Sequence, residues 1–130
     1  MQEKSRYFIE LAYDGTAYHG WQRQPQSISV QEVLEDGLQK MLREKIVVQG
    51  AGRTDAGVHA ACMIAHFDVA GEIDLKHLVY RLNRWIPKDI AVYNIKPVTI
   101  SVLTNIIFYC DQIRFKCVKH TSFLESQTLN

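Results

Sequence analysis

Residues 6–13, with the sequence RYFIELAY, are the stretch that decides the fold. They mix aromatic and β-branched side chains, and Asp14-Gly15 follows at once, which is typical of a strand that runs into a turn. We therefore expect a central strand here. The aromatic side chains Tyr7, Phe8 and Tyr13 are expected to lie in the core.

Two amphipathic helices are predicted further along the chain. Ser29 can cap a helix over residues 29–43, whose apolar positions keep the three-and-four spacing of one buried face. Asp74 can cap a second helix, which Pro87 ends. Three further strands are predicted at residues 46–48, 61–69 and 90–95. The order β-α-β-β-α-β predicts an α+β, ferredoxin-like domain whose two helices cover one face of an antiparallel sheet.

The composition fits one compact domain. The chain has 130 residues, of which 47% are hydrophobic, so it can bury a core of its own. No apolar run approaches the roughly eighteen residues that a membrane helix needs, and the first six residues are too polar for a signal peptide. A cytoplasmic protein without a membrane partner is the expectation.

Cysteines and charge exclude some classes of site. Cys62, Cys110 and Cys117 form no C-x-x-C pair, so we expect neither a disulfide framework nor a metal site. The net charge is +1, from 15 Lys and Arg against 14 Asp and Glu. A net charge this close to zero does not by itself indicate a nucleic-acid partner, so any phosphate binding must come from local basic patches.

The most informative loop is GAGRTDAGVHA at residues 50–60. Its glycines would let a substrate approach the backbone closely. Arg53 and Asp55 are two positions apart, so in extended backbone both side chains would point to one face and could form an oriented ion pair beside a pocket. The alternative is a plain turn, in which Asp55 bonds its own backbone, Arg53 is solvated and His59 is packed.

Three motifs carry a resemblance to a known family. Residues 52–60, GRTDAGVHA, resemble the signature of the TruA family of tRNA pseudouridine synthases. Residues 13–24, YDGTAYHGWQRQ, are similar to the opening motif of that family, and residues 82–92, LNRWIPKDIAV, to the exit of its second helix. Three motifs in the family's order make a far more specific match than any one of them alone.

The resemblance implies an isomerase that converts uridine to pseudouridine in the anticodon stem-loop of tRNA. It makes Asp55 the catalytic residue and implies tRNA as the partner, a homodimer in the full-length protein, and neither cofactor nor metal. The carboxylate could bond to C1′ of the ribose, add to C6 of the base or remove the C2′ proton. Substrate-binding and RNA-binding roles fall to Arg53, Thr54, His59, Arg23 and Trp21. For Trp21, packing as a lid on the core is an equal alternative.

The resemblance covers roughly the first hundred residues. We expect residues 1–99 to form the N-terminal domain of a synthase. Residues 100–130 match nothing in the family and are expected to be a tail produced by a reading-frame shift, so the chain is expected to be inactive alone. Two other classes of function stay open, namely a non-catalytic RNA-binding module and a domain that binds a small molecule or a protein.

Overall fold

A computed structural model of the chain describes residues 3–98 and 117–118. Its elements, in chain order, are β1 (Lys4–Tyr13), a short 3-10 helix (Gly15–Ala17), α1 (Val30–Leu42), β2 (Gln49–Gly50), β3 (His59–Ala70), α2 (Leu75–Trp85), β4 (Ile90–Pro97) and β5 (Cys117–Val118). The first four strands and the two helices follow the predicted order β-α-β-β-α-β. The predicted tail at 100–130 lies outside the described residues except for β5.

The sheet has the strand order β2-β3-β1-β4, and each neighbouring pair is antiparallel. β1 therefore lies between β3 and β4, which confirms the prediction of a central strand. β5 pairs with β3 beside His59 and Ala60, on the same edge that β2 occupies further along β3. This arrangement agrees with the ferredoxin-like fold expected from the sequence.

Both helices pack on one face of this sheet. The side chains of Tyr7, Ile9, Leu11 and Tyr13 alternate along β1 and share one buried cluster with apolar residues of α1 and α2. On the other face, Phe8 of β1 packs with Ile64 of β3 in a small separate cluster. Partly buried Cys62 and Val98 pack against this cluster. The prediction that the two helices cover a single face is confirmed.

Side-chain caps set the starts of both helices at the predicted places. Ser29 Oγ accepts a hydrogen bond from the backbone N–H of Glu32 at 3.3 Å, and Asp74 Oδ1 accepts one from His77 N–H at 3.2 Å. Arg43 ends α1 in the left-handed conformation, with φ of 56°. Local capping chemistry therefore accounts for these helix ends.

The predicted strand at residues 46–48 is wrong. Ile46 and Val48 are buried in the core, but the second strand consists of Gln49–Gly50. Val48 N–H donates instead to the carboxylate of Glu35 at 2.9 Å, and Val48 C=O accepts from the side-chain amide of Gln31 at 2.6 Å. Side chains of α1 thus satisfy backbone groups that a strand partner would otherwise take.

Gly37 marks the point where the two helices approach each other. A Cβ there would lie 2.7 Å from Leu82 Cδ1 and 3.1 Å from Trp85 Cε3. We predict that Gly37→Val lowers the free energy of unfolding by about 1–3 kcal/mol because it overpacks this crossing. The measurement is urea unfolding of the chain. Asp36→Val introduces the same side chain at an exposed position of α1 and serves as the control. An equal loss in both variants would mean that crowding at the crossing is not responsible.

Candidate active site

The loop at residues 51–58 is docked on the loop that follows β1. The backbone N–H of Trp21 donates to Thr54 C=O at 3.2 Å, and Gly57 N–H donates to Tyr18 C=O at 3.1 Å. Two of the three sequence motifs, at 13–24 and 52–60, therefore lie against each other. Their contact forms the end of the sheet where β1 finishes and β3 begins.

Glycines make this docking possible. A Cβ on Gly15 would overlap Val58 C=O, and a Cβ on Gly20 would overlap Thr54 C=O. Gly20 also has φ of +81°, which disfavours other residues. Any side chain at either position would push the two loops apart.

Thr54 is the buried anchor of the loop. Its Oγ1 lies 2.6 Å from the hydroxyl of Tyr13, a core residue at the end of β1. The Tyr13 ring stacks on Trp21 with a centroid distance of 6.4 Å, and Trp21 is only 2% exposed. Trp21 therefore packs on the core, which is one of the two roles that the sequence left open.

His59 lies beneath the loop and is fully buried. Its Nδ1 accepts a hydrogen bond from Gly15 N–H at 2.8 Å and lies 3.1 Å from Asp14 Oδ1. Because Nδ1 accepts here, a neutral imidazole carries its proton on Nε2. In this position His59 supports the loop from within the core, and the RNA-binding role expected for it from the sequence stays a prediction.

Asp55 and Arg53 point the other way, into solvent. The two do not form the ion pair suggested by their spacing, and within the described residues neither side chain has an ion pair or a hydrogen bond. The backbone does turn here, since Val58 N–H donates to Asp55 C=O at 3.1 Å and Gly57 has φ of +77°. The turn is thus made by the backbone, and the Asp55 carboxylate is left available.

Arg23 is held by α1. Its guanidinium lies 2.8 Å from Glu35, 3.4 Å from Glu32 and 3.5 Å from Asp36. The hydrogen bond to Glu35 is the main cause that raises the pKa of Arg23. These three carboxylates surround the Arg23 guanidinium, which the sequence suggested as an RNA contact, and they cancel much of its positive field.

Tyr18 and Asp89 also belong to the site. The sequence suggests Tyr18 only as a stacking or packing residue of the first loop and suggests no role for Asp89. The Tyr18 hydroxyl donates to Asp89 Oδ1 at 2.6 Å, and Asp14 N–H donates to Asp89 C=O at 2.8 Å. Burial, and then the bond to Asp89, raise the pKa of the Tyr18 phenol above its usual range. These contacts tie the third motif, at 82–92, to the first. Tyr18 lies in the motif at 13–24 and Asp89 in the motif at 82–92, and this is the signal in the sequence that could have identified them.

Two further findings concern the described residues as a whole. Within residues 3–98 and 117–118, no three His, Cys, Asp or Glu side chains cluster as metal ligands would. None of the helices that the structure describes has the length and apolar character needed to cross a membrane.

A family model described as tRNA pseudouridine synthase matches residues 11–108, which include the whole candidate site. The chain belongs to the tRNA pseudouridine synthase family. Three similar relatives bear the name tRNA pseudouridine synthase A. That of Bacteroides fragilis is 58% identical over 91 residues, that of Bacteroides thetaiotaomicron 56% over 93, and that of Corynebacterium glutamicum 46% over 101.

These pseudouridine synthases are longer than the segment that they share with the chain. The aligned parts cover 69%, 72% and 70% of this chain but 36%, 35% and 35% of the relatives, in the same order. The chain therefore spans little more than a third of the length of the curated relatives it matches. The family match extends to residue 108, past the predicted boundary at 99. The boundary and the reading-frame shift fall outside the described residues and stay predictions.

The contact between Tyr13 and Thr54 gives a prediction about stability. Tyr13→Phe and Thr54→Val each remove one hydroxyl of the buried pair while keeping most of the volume. In a double-mutant cycle we expect a coupling energy of about 1 kcal/mol, because each single change already breaks the shared hydrogen bond. Urea unfolding of the parent, both single variants and the double variant measures it. Additive losses would show that the two hydroxyls do not interact.

Proposed function

We propose that this chain supplies the catalytic carboxylate of a tRNA pseudouridine synthase, and that the carboxylate is Asp55. The observation that carries the proposal is the contrast within the loop. Thr54 is buried and bonded to Tyr13, whereas Asp55 beside it is exposed and has no bonded partner among the described residues. A carboxylate that is held in place but not engaged can act on a substrate.

The reaction explains why a carboxylate is needed. Pseudouridine forms when the bond from C1′ to N1 of uracil breaks, the base turns, and C5 bonds to C1′. An ionised Asp55 can form a bond to C1′, add to C6 or take the C2′ proton, and all three routes remain open. Each route needs the uridine to leave its stack, because the glycosidic bond is otherwise out of reach.

Arg53 is proposed to bind the RNA beside the reacting nucleotide. Its guanidinium is exposed and has no carboxylate partner among the described residues, in contrast to Arg23. A guanidinium in this state can form two parallel hydrogen bonds to a phosphate.

The resemblance to the family supports three finer proposals. The target uridine lies in the anticodon stem-loop, the whole protein is a homodimer in the cytoplasm, and the reaction requires no cofactor. These proposals rest on the three motifs and not on contacts of the described residues.

A non-catalytic RNA-binding module is less well supported. Such modules of ferredoxin-like fold stack bases on paired exposed aromatic residues of the open sheet face. Here Phe8, an aromatic residue on that face, is only 7% exposed and packs edge-on against His66. Phe8 therefore does not provide such a stacking surface.

The test uses a chimaera in which residues 1–98 replace the matching segment of the Bacteroides fragilis relative. We predict that Asp55→Asn lowers pseudouridine formation in tRNA by at least a thousandfold, while tRNA binding persists, because the change removes a charge but little volume. The readout is single-turnover pseudouridine formation, with tRNA affinity measured in parallel.

Glu72→Gln is the matched control, because Glu72 is an exposed carboxylate outside the loop. It should leave both readouts unchanged. Residual turnover of the Asp55→Asn chimaera within tenfold of the parent would refute the catalytic role of Asp55. A parent chimaera that binds tRNA but forms no pseudouridine would refute the proposed function itself.

A further inference from the structure

A polar groove of about 330 Å³ opens next to the catalytic loop. Gln22 of the first loop, Gln49 and Gly50 of β2, and Gly52 and Arg53 of the catalytic loop contribute to its walls. We call it the glutamine groove. Its volume is within the range of small-ligand sites in proteins.

Two glutamine amides in this groove are unengaged. A third one, Gln31, is engaged at both its oxygen and its nitrogen, since it accepts from Arg23 N–H at 2.7 Å and donates to Val48 C=O at 2.6 Å. In contrast, Gln22 and Gln49 are exposed, and neither side chain forms a hydrogen bond within the described part of the chain. Each of them can offer one acceptor and two donor hydrogens to a ligand.

The indole of Trp21 adds a donor to the groove. Trp21 lines the groove and is only 2% exposed. Its Nε1–H has no hydrogen-bond partner in residues 3–98. A Cβ on Gly50 would lie 2.5 Å from that nitrogen, so glycine is required at this wall. A Cβ on Gly52 would meet nothing within 4 Å, which leaves the groove open above the indole.

We propose that the glutamine groove binds the nucleotide next to the reacting uridine, with Gln22 and Gln49 on the base edge and Arg53 on the phosphate. The proposal rests on the proposed function of Asp55. Base edges carry donors and acceptors that amides can match, and Arg53 is a suitable group for the phosphate. Arg53 and Asp55 are two residues apart, so their Cα atoms lie at most about 7 Å from each other. This distance is on the scale of one nucleotide step.

The course of the groove favours a strand of RNA over a free small molecule. A second depression, of about 210 Å³, shares Val47 and Gln49 with the glutamine groove and continues along the β2 side of the sheet. Exposed Lys4 and Lys45 line it, whereas Arg6 in the same depression is paired with Asp68 at 2.8 Å. A nucleotide bound at the glutamines could therefore continue along a surface with two available cations.

The test measures binding of folded tRNA to the full 130-residue chain by filter binding at one fixed salt concentration. The double variant Gln22→Ala/Gln49→Ala is expected to bind about tenfold more weakly, because two hydrogen bonds to the base are lost. A tRNA with an abasic site next to the modified uridine, on the 5′ or the 3′ side, should weaken binding to the parent by a similar factor. In the double variant, the same abasic site should weaken tRNA binding little further.

Gln26→Ala is the control, because Gln26 is an exposed glutamine of the first loop that does not line the groove. It should bind both tRNAs as the parent does. The proposal is overturned if the double variant binds within twofold of the parent, if it keeps the full abasic penalty, or if the parent chain shows no affinity for tRNA. Failure of the groove is distinguishable from failure of the proposed function, because pseudouridine formation by the chimaera is measured separately and depends on Asp55.

Discussion

The candidate site depends on one constraint, the close backbone approach of the loop at 51–58 to the loop after β1. Gly15 and Gly20 allow this approach, because a Cβ at either position would overlap a carbonyl of the other loop. Two backbone hydrogen bonds, at 3.1 and 3.2 Å, then hold the loops together. As the strands that carry the loops are adjacent in the sheet, the core fixes both ends of the contact. The position of Asp55 is thus set by packing and not by bonds of its own side chain.

Polar residues of this loop are divided between two tasks. Thr54 and His59 face inward and bond to Tyr13 and Gly15, so burying them does not leave these hydroxyl and backbone groups unsatisfied. Arg53 faces outward, and the side chains on that side do not pair with each other. If they did, a substrate would first have to break the pair and would lose part of its binding free energy. The absence of self-pairing is therefore consistent with a preorganised site.

Local patterns predicted the helices well, because caps and apolar spacing act within a few residues of Ser29 and Asp74. They failed at residues 46–48, where the partners of the backbone are Glu35 and Gln31, 13 and 17 residues away from Val48. The motif identified the loop as a candidate site, but the residue types alone could not say which side chains point inward. His59 is buried through Gly15, 44 residues earlier, and such a contact is visible only in the folded chain.

Charge around the site bears on how the proposed RNA substrate would be recognised. The chain has a net charge of only +1, and two arginines near the sheet are already committed, Arg23 to α1 and Arg6 to Asp68. The Arg6 guanidinium also holds the pKa of Asp68 below its usual range, which keeps that pair ionised. Non-specific affinity grows with the number of phosphates that free cations neutralise. With Arg53 as the unpaired guanidinium of the loop and Lys4 and Lys45 as the cations of the neighbouring depression, recognition of the proposed RNA substrate would need hydrogen bonds and shape as well as charge.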